Sequence, residues 1–152
     1  MSLSSKTIVV LGSGPKIGRH VAALFATHGF DNIALLARNV DRLRDDQEFV
    51  LEQAKKGGAK RIAIKVYPVD LQADPQDLKD VLSAVENDLG PPEVVVYNAS
   101  KLEKSAMFEY TENALVENYK VSGCFLILSG LAVLCCSNGR RRGHVTELIE
   151  FR

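Results

Sequence analysis

The sequence predicts an α/β protein in which helices cover both faces of a mostly parallel β-sheet, giving three layers. Short apolar runs alternate with amphipathic helical patterns along the chain, and glycine or proline separates them. A glycine-rich turn joins the first apolar run to the first helix. The 152 residues, 46% of them hydrophobic, suffice for one domain with a real core and leave no room for a second.

The first unit is a strand, a glycine turn and a helix. Residues 7–11 form an apolar run that enters the turn at residues 12–18. Unpaired N–H groups and the positive end of the helix dipole gather at such a helix start, so an anion is the favoured occupant. Because glycine also lets the backbone approach a pyrophosphate, the turn predicts a nucleotide site. The alternative is that these glycines only relieve steric crowding. The apolar stripe of the helix comprises Ile17, Val21, Ala22, Leu24 and Phe25.

Three further strands and three further helices complete the predicted pattern. The strands are residues 32–37, 61–67 and 93–97. Asn39 caps a helix that runs to Lys56, and Asp74 with Pro75 begins another that ends at Leu89. The last helix passes through residue 118 and ends near residue 136, where residues 137–139 resemble a cap.

Arg38 follows the second strand, where a dinucleotide-binding fold presents the residue that reads the ribose. A carboxylate there would bind the 2′-hydroxyl of NAD, whereas an arginine accommodates a 2′-phosphate. Arg38 therefore favours NADP over NAD. The alternative is an ordinary exposed arginine near a helix start.

Four motifs between residues 6 and 134 resemble the short-chain dehydrogenase/reductase family. The family's glycine turn matches Gly12 and Gly18, with Lys16 in place of its middle glycine. Its Asp-Leu pair matches residues 70–71, and its Asn-Asn-Ala-Gly strand end matches Asn98 and Ala99 in part. Its active-site asparagine matches Asn118. Each residue also has a plain interpretation: a loop aspartate, a polar strand end and an exposed helical asparagine.

The resemblance implies a Rossmann-like sheet of strand order 3-2-1-4 and a bound nicotinamide dinucleotide. Asp70 and Leu71 would then lie along the adenine, and Asn118 would help to order a water in the proton path. Asn118 is therefore the one catalytic candidate. The expected cofactor-binding residues are Gly12, Ser13, Gly14, Lys16, Ile17, Gly18, Arg38, Asp70, Leu71, Asn98 and Ala99.

The family's later strand with a serine, and its helix with Tyr-x-x-x-Lys, have no counterpart in this sequence. Tyr97 and Lys101 satisfy that spacing, but Tyr97 ends a predicted strand, and the pair requires a helix to share one face. We therefore expect the cofactor-binding half of an NADP(H)-dependent oxidoreductase, truncated after residue 138 and followed by a divergent tail at 139–152. The alternative is a non-catalytic module that binds a nucleotide or a partner. The substrate and the origin of the truncation stay open.

A chain truncated in this way would leave residues 93–97 as an exposed sheet edge beside a long apolar helix. Unpaired backbone groups on such an edge invite pairing with another chain. We therefore expect self-association, or a partner chain that covers the edge and the helix.

Composition and residue spacing argue against a nucleic-acid-binding, a metal-binding or a membrane protein. The 19 basic side chains balance the 19 acidic ones, so no positive electrostatic field that would attract nucleic acid is expected. Cys124, Cys135 and Cys136 are interpreted as buried thiols of a cytoplasmic protein, and the histidines lack metal-ligand spacing. A membrane span at residues 121–136 is the lesser alternative, because these 16 residues fall short of the ~20 that a span needs.

Overall fold

The computed structural model describes residues 5–59, 61–71, 74–100, 111–121 and 147–150. Strands and helices alternate along these residues, as predicted. The elements are β1 Thr7–Leu11, α1 Gly18–Thr27, β2 Asn32–Ala37, α2 Val40–Lys56, β3 Ala63–Pro68, α3 Pro75–Leu89, β4 Val94–Tyr97, α4 Glu112–Tyr119 and β5 Glu147–Glu150.

The five strands form one parallel sheet in the order β3-β2-β1-β4-β5. Strand β1 lies at the centre, where Val9 is in register with Ala34 of β2 on one side and Val95 of β4 on the other. The order β3-β2-β1-β4 confirms the predicted topology. Successive strands are added to one side of β1 as far as β3 and then to its other side from β4 on. A crevice opens at this point, outside the carboxyl ends of β1 and β4.

The expectation that β4 is a free edge was wrong. Strand β5 pairs with it in parallel, with Val94 opposite Glu147 and Tyr97 opposite Glu150. A parallel partner needs a crossover of a dozen or more residues, and residues 98–146 supply that length. The predicted tail at 139–152 therefore contributes a strand to the sheet, although none of its residues matches the family motifs.

Alternation along the strands builds a hydrophobic core on each face of the sheet. Val9 and Leu11 of β1 pack on one face with α3, and Ile8 and Val10 pack on the other face with α1 and α2. Each of these four side chains is fully buried. The central strand is therefore covered on both sides, which confirms the three-layer arrangement.

Helix α1 differs from the predicted stripe. Ile17 precedes the helix and is 42% exposed, and Leu24 is 57% exposed. The buried residues of α1 are small, namely Gly18, Ala22, Ala23 and Ala26. Small side chains let α1 lie close to its neighbours. Of the predicted stripe, Val21, Ala22 and Phe25 do pack in the core on this face, so the prediction is wrong for Ile17 and Leu24 only. Strand β3 also begins two residues later than predicted, at Ala63.

Side-chain caps fix the predicted helix starts. The Asn39 Oδ1 atom accepts a hydrogen bond of 3.0 Å from the Arg42 backbone, and the Asp74 Oδ1 atom accepts one of 2.8 Å from Gln76. The predicted continuation of α4 to residue 136, its cap and the three cysteines lie outside the described residues. Within the described ranges, no helix has the length and hydrophobicity to cross a membrane.

Candidate nucleotide-binding site

A cleft lies at the carboxyl ends of β1, β2, β3 and β4, where the loops after these strands converge. It contains most of the residues that the sequence predicted for cofactor binding. Its lining consists of Gly12, Ser13, Gly14, Ala37, Arg38, Asn39, Arg42, Val69, Asp70, Leu71, Asn98, Ala99, Ser100 and Val121. The remaining predicted residues, Lys16, Ile17 and Gly18, belong to the same turn and to the start of α1.

Two glycines of the turn are required by its backbone. Gly12 has a φ of 85°, and a Cβ there would lie 2.5 Å from the backbone nitrogen of Ala99. A Cβ on Gly18 would lie 2.7 Å from the Cα of Ser13. The steric explanation therefore accounts for both glycines that match the family.

Gly14 is different, because a Cβ placed on it would meet no atom within 4 Å. It borders the open space of the cleft. The backbone N–H groups of Gly12 and Ser13 both donate to the Leu36 carbonyl, at 2.8 and 3.0 Å, which ties the turn to β2. The turn is thus held at its start and approaches the cleft at Gly14.

Two arginines reach the cleft from the end of β2 and the first turn of α2. Arg38 is exposed and lines the cleft, and Arg42, four residues further along, lines it as well. Asn39 between them caps the helix. Arg42 was not among the residues predicted from the sequence, although its spacing from Arg38 places both side chains at the same helix start.

The loop after β3 places Asp70 at the cleft between two buried residues, Val69 and Leu71. The Val69 N–H donates to the Ala37 carbonyl at 3.0 Å, so the loop stays close to the end of β2. Asp70 is exposed, and Leu71 belongs to the core on the α3 face. Both predicted residues therefore lie at one wall of the cleft.

Asn98 links the end of β4 to the glycine turn. Its side-chain amide donates to the Gly12 carbonyl at 3.1 Å, and its backbone N–H donates to the Leu11 carbonyl at 2.8 Å. Ala99 lies directly against Gly12. The structure therefore brings the predicted pair at the end of β4 next to the predicted turn at the end of β1.

Tyr97 is 2% exposed, and its hydroxyl donates to the backbone carbonyl of Val121. Burial raises the pKa of Tyr97 to about 12. The hydroxyl is engaged within the fold and holds its proton tightly, which agrees with the interpretation of Tyr97 as a strand residue rather than a general acid. Lys101 lies outside the described residues.

Asn118 is half-buried on α4, three residues before Val121 of the cleft lining. It is not part of that lining, so its role stays a prediction. Among the described residues, no three histidine, cysteine or carboxylate side chains cluster as metal ligands. Two of the three histidines, His20 and His28, are exposed on or beside α1.

A buried polar group that the sequence did not predict lies beneath the turn. Asp46 of α2 is 2% exposed, and its Oδ2 atom accepts a 2.8 Å hydrogen bond from the Ser13 hydroxyl. The Arg19 guanidinium lies 4.0 Å from the other carboxylate oxygen. The sequence feature that could have identified Asp46 is an acidic residue at a core position of α2, between Leu43 and Val50 in the apolar stripe.

Comparison with known proteins agrees with this architecture. The sequence model of the KR domain matches residues 6–131. The short chain dehydrogenase mpl6 of Monascus purpureus is 32% identical over 99 residues, which are 65% of this chain and 33% of that protein. The short-chain dehydrogenase/reductase homolog YusS of Bacillus subtilis (strain 168) is 29% identical over 100 residues, covering 66% of this chain and 84% of that protein.

A solved structure shows the same fold. L-sorbose reductase from Gluconobacter frateurii, complexed with NADPH and L-sorbose, superimposes with a TM-score of 0.75 at 24% identity, over 90% of this chain and 49% of that one. The chain thus spans about a third of the length of mpl6 and about half that of the reductase. Since the KR domain match covers most of its residues, the chain belongs to the KR domain family of short-chain dehydrogenases/reductases.

Proposed function

We propose that the cleft binds a nicotinamide dinucleotide, with NADP(H) preferred over NAD(H). One observation carries the proposal: the glycine turn, the two arginines and the Asn98–Ala99 pair converge at the carboxyl ends of the strands, beside the point where the strand order reverses. Open α/β sheets bind their ligands at this point. The NADPH held by the L-sorbose reductase of the same fold supports the choice of ligand.

The pyrophosphate would lie over the turn at residues 12–18. The N–H groups of Gly12 and Ser13 are already bonded to Leu36, so the anion would meet the backbone further along, from Gly14 to the start of α1. Unsatisfied N–H groups at a helix start favour an anion. Open space beside Gly14 lets the ligand approach that backbone closely.

Lys16 is exposed and lies outside the cleft lining. Its side chain therefore leaves the cleft open, although the family has a glycine at this position. The ammonium group would add positive charge near the pyrophosphate without contributing bulk to the site.

The ribose end of the ligand would meet Arg38 and Arg42. Guanidinium groups form charge-assisted, often bidentate, hydrogen bonds with phosphate, and two of them at one wall fit a 2′-phosphate. A 2′-hydroxyl offers no charge to pair with them. The adenine would lie along the wall formed by Asp70 and Leu71.

Bound NADP(H) would supply a hydride to or from a carbonyl carbon. The reaction also needs a proton donor, and Asn118 would order a water in that path, as the family resemblance implies. Of the four tyrosines in the sequence, Tyr97 alone is followed four residues later by a lysine, and its hydroxyl is engaged with Val121. We therefore propose that the residues of the cleft supply the cofactor-binding part of an NADP(H)-dependent oxidoreductase of this family and that Tyr97 is not its proton donor. The second candidate is a nucleotide-binding module without catalysis, which the engagement of the Tyr97 hydroxyl with Val121 favours.

Calorimetric titration of the purified chain with NADPH and NADH tests the proposal. We expect saturable binding of one molecule per chain, with NADPH bound more tightly. Absence of binding by both nucleotides would overturn the assignment of the cleft, and equal affinity for the two would overturn the role of the arginines.

A further inference from the structure

Asp46 is an acidic residue in the buried stripe of α2. The stripe otherwise consists of Leu43, Val50 and Ala54, and Asp46 is 2% exposed. A buried carboxylate costs stability unless it is paired and hydrogen-bonded. An aliphatic residue would complete the stripe without that cost, so the contacts of Asp46 indicate what the carboxylate does.

The carboxylate joins three elements. Its Oδ2 atom accepts the 2.8 Å hydrogen bond from the hydroxyl of Ser13 in the glycine turn, and its Oδ1 atom lies 4.0 Å from the Nη1 atom of Arg19 in the first turn of α1. The Arg19 guanidinium carbon lies 4.4 Å from the ring centroid of Phe49, also on α2. Arg19 is therefore held between the carboxylate and an aromatic face.

Ser13 is fixed at both its backbone and its side chain. Its N–H donates to Leu36 at 3.0 Å, and its hydroxyl donates to Asp46. The Arg19 N–H donates to the Gly14 carbonyl at 3.2 Å, which holds the next residue of the turn from the other side. The Ser13–Gly14 backbone, at the beginning of the segment where the pyrophosphate would lie, is thus fastened to both α1 and α2.

We propose that Asp46 is a positioning residue for the nucleotide: its carboxylate holds the Ser13–Gly14 backbone in the conformation that receives the pyrophosphate. Arg19 offsets the negative charge that Asp46 would otherwise place near the ligand's phosphates. Because the proposal concerns the same site, it rests on the proposed nucleotide function.

Helix α2 extends this arrangement to the other end of the ligand. Arg42 lies one turn before Asp46 on the same helix and lines the cleft where the ribose would bind. A single rigid helix therefore positions both the turn and an arginine. Loosening the contact between Asp46 and Ser13 would separate these two halves of the site.

The test uses the full chain with two ligands. NADPH contains the pyrophosphate, whereas adenosine 2′-monophosphate retains the adenine, the ribose and the 2′-phosphate without it. The main variant is the double substitution Ser13→Ala/Asp46→Leu, which replaces the hydrogen-bonded pair with apolar groups. Because it also removes the carboxylate beside Arg19, its melting temperature is expected to fall, and binding is measured well below the melting transition. Asp45→Asn, at the exposed neighbouring position, is the matched control.

We expect the double variant to raise the Kd for NADPH at least tenfold and to leave that for adenosine 2′-monophosphate within threefold of the original value. Amide hydrogen exchange of residues 12–18 without ligand should become at least tenfold faster. Asp46→Asn, which keeps an acceptor for Ser13, should change the NADPH Kd less than the double variant does. A purely structural role would leave the ratio of the two ligand affinities unaltered, whatever the melting temperature of the variant.

An unchanged NADPH Kd together with unchanged exchange of the turn in the folded double variant would overturn the role of Asp46. If the original chain bound neither ligand, the proposed function would fail separately. In that case faster exchange of residues 12–18 in the ligand-free double variant would show only that Asp46 fastens the turn, and unchanged exchange would refute that effect as well.

Discussion

The side-chain amide of Asn98 donates a 3.1 Å hydrogen bond to the carbonyl of Gly12 and so joins the ends of β4 and β1. These strands flank the point where the order of the sheet reverses. The bond links the turn after β1 to the end of β4, so two motifs that are 86 residues apart in the sequence share one site.

Gly12 and Gly14 provide a matched pair of alanine substitutions. Gly12→Ala should destabilise the fold by about 2–5 kcal/mol, because it adds a Cβ at positive φ directly against Ala99. Gly14→Ala should leave the free energy of unfolding within about 0.5 kcal/mol of the original and weaken NADPH binding by about tenfold or more, because its Cβ enters the cleft. Chemical denaturation and calorimetry measure the two effects. Equal loss of stability in both variants would contradict this division.

Arg38→Asp should weaken NADPH binding and spare NADH. Loss of a charge-assisted hydrogen bond is worth roughly 1.5–3 kcal/mol, or about 10- to 150-fold in Kd, and the new carboxylate would also repel the 2′-phosphate. Arg42→Ala should also weaken NADPH binding and spare NADH, by a smaller factor. Calorimetry with both nucleotides measures the ratio of their affinities, and an unchanged ratio in both variants would remove the arginines from the assignment.

Alkaline pH should destabilise the protein through Tyr97. Burial raises its pKa to about 12 from an ordinary value near 10, so the folded state holds the proton more tightly than the unfolded state. The corresponding stability is fully present below pH ~10 and is lost as the pH rises toward 12, by roughly 2 kcal/mol.

Deprotonation of Tyr67 should also destabilise the folded protein at alkaline pH. Burial, and then its 2.8 Å hydrogen bond to Asp88, raise the pKa of this hydroxyl as well. Thermal melts between pH 9 and 12 should therefore show a shallower decline for Tyr97→Phe than for the original chain. An identical decline would show that the Tyr97 hydroxyl titrates normally in the folded protein.

The purified chain should not oxidise NADPH above background with a panel of ketones and aldehydes. A positioned proton donor typically contributes about 10²- to 10⁴-fold to such a reaction, and the hydroxyl of Tyr97 is engaged with Val121. Absorbance at the nicotinamide band monitors the reaction. Robust turnover that Tyr97→Phe abolishes would show that Tyr97 is catalytic after all.

Self-association is still expected, although β5 covers the edge of β4. Helix α4 exposes Leu115, Val116 and Tyr119 at 55%, 46% and 65% of their surfaces. Large apolar side chains grouped on a short helix favour contact with a second copy of the chain. Light scattering should show an oligomer that Leu115→Lys/Tyr119→Lys shifts toward the monomer, and a monodisperse monomer of the original chain would contradict this expectation.

The sequence by itself determined the local features of the fold. Asn39 and Asp74 begin helices because their side chains bond to backbone groups two or three residues away, and the residues between them are enough to predict this. Likewise, Gly12 predicts a turn because glycine adopts positive φ without steric cost, and this preference depends on that one residue. The predicted members of the site lie at strand ends, and a parallel sheet brings such ends to one edge.

Only the tertiary structure decided which distant residues meet. It paired β5 with β4, placed Arg42 beside Arg38 at the cleft, and engaged the Tyr97 hydroxyl with Val121. It also placed Asp46 beneath Ser13, which precedes it by 33 residues in the sequence. The helical periodicity of α2 predicts an aliphatic side chain at position 46. A polar residue in a buried stripe is explained by a partner on another element, and the sequence pattern of one helix contains no information about that partner.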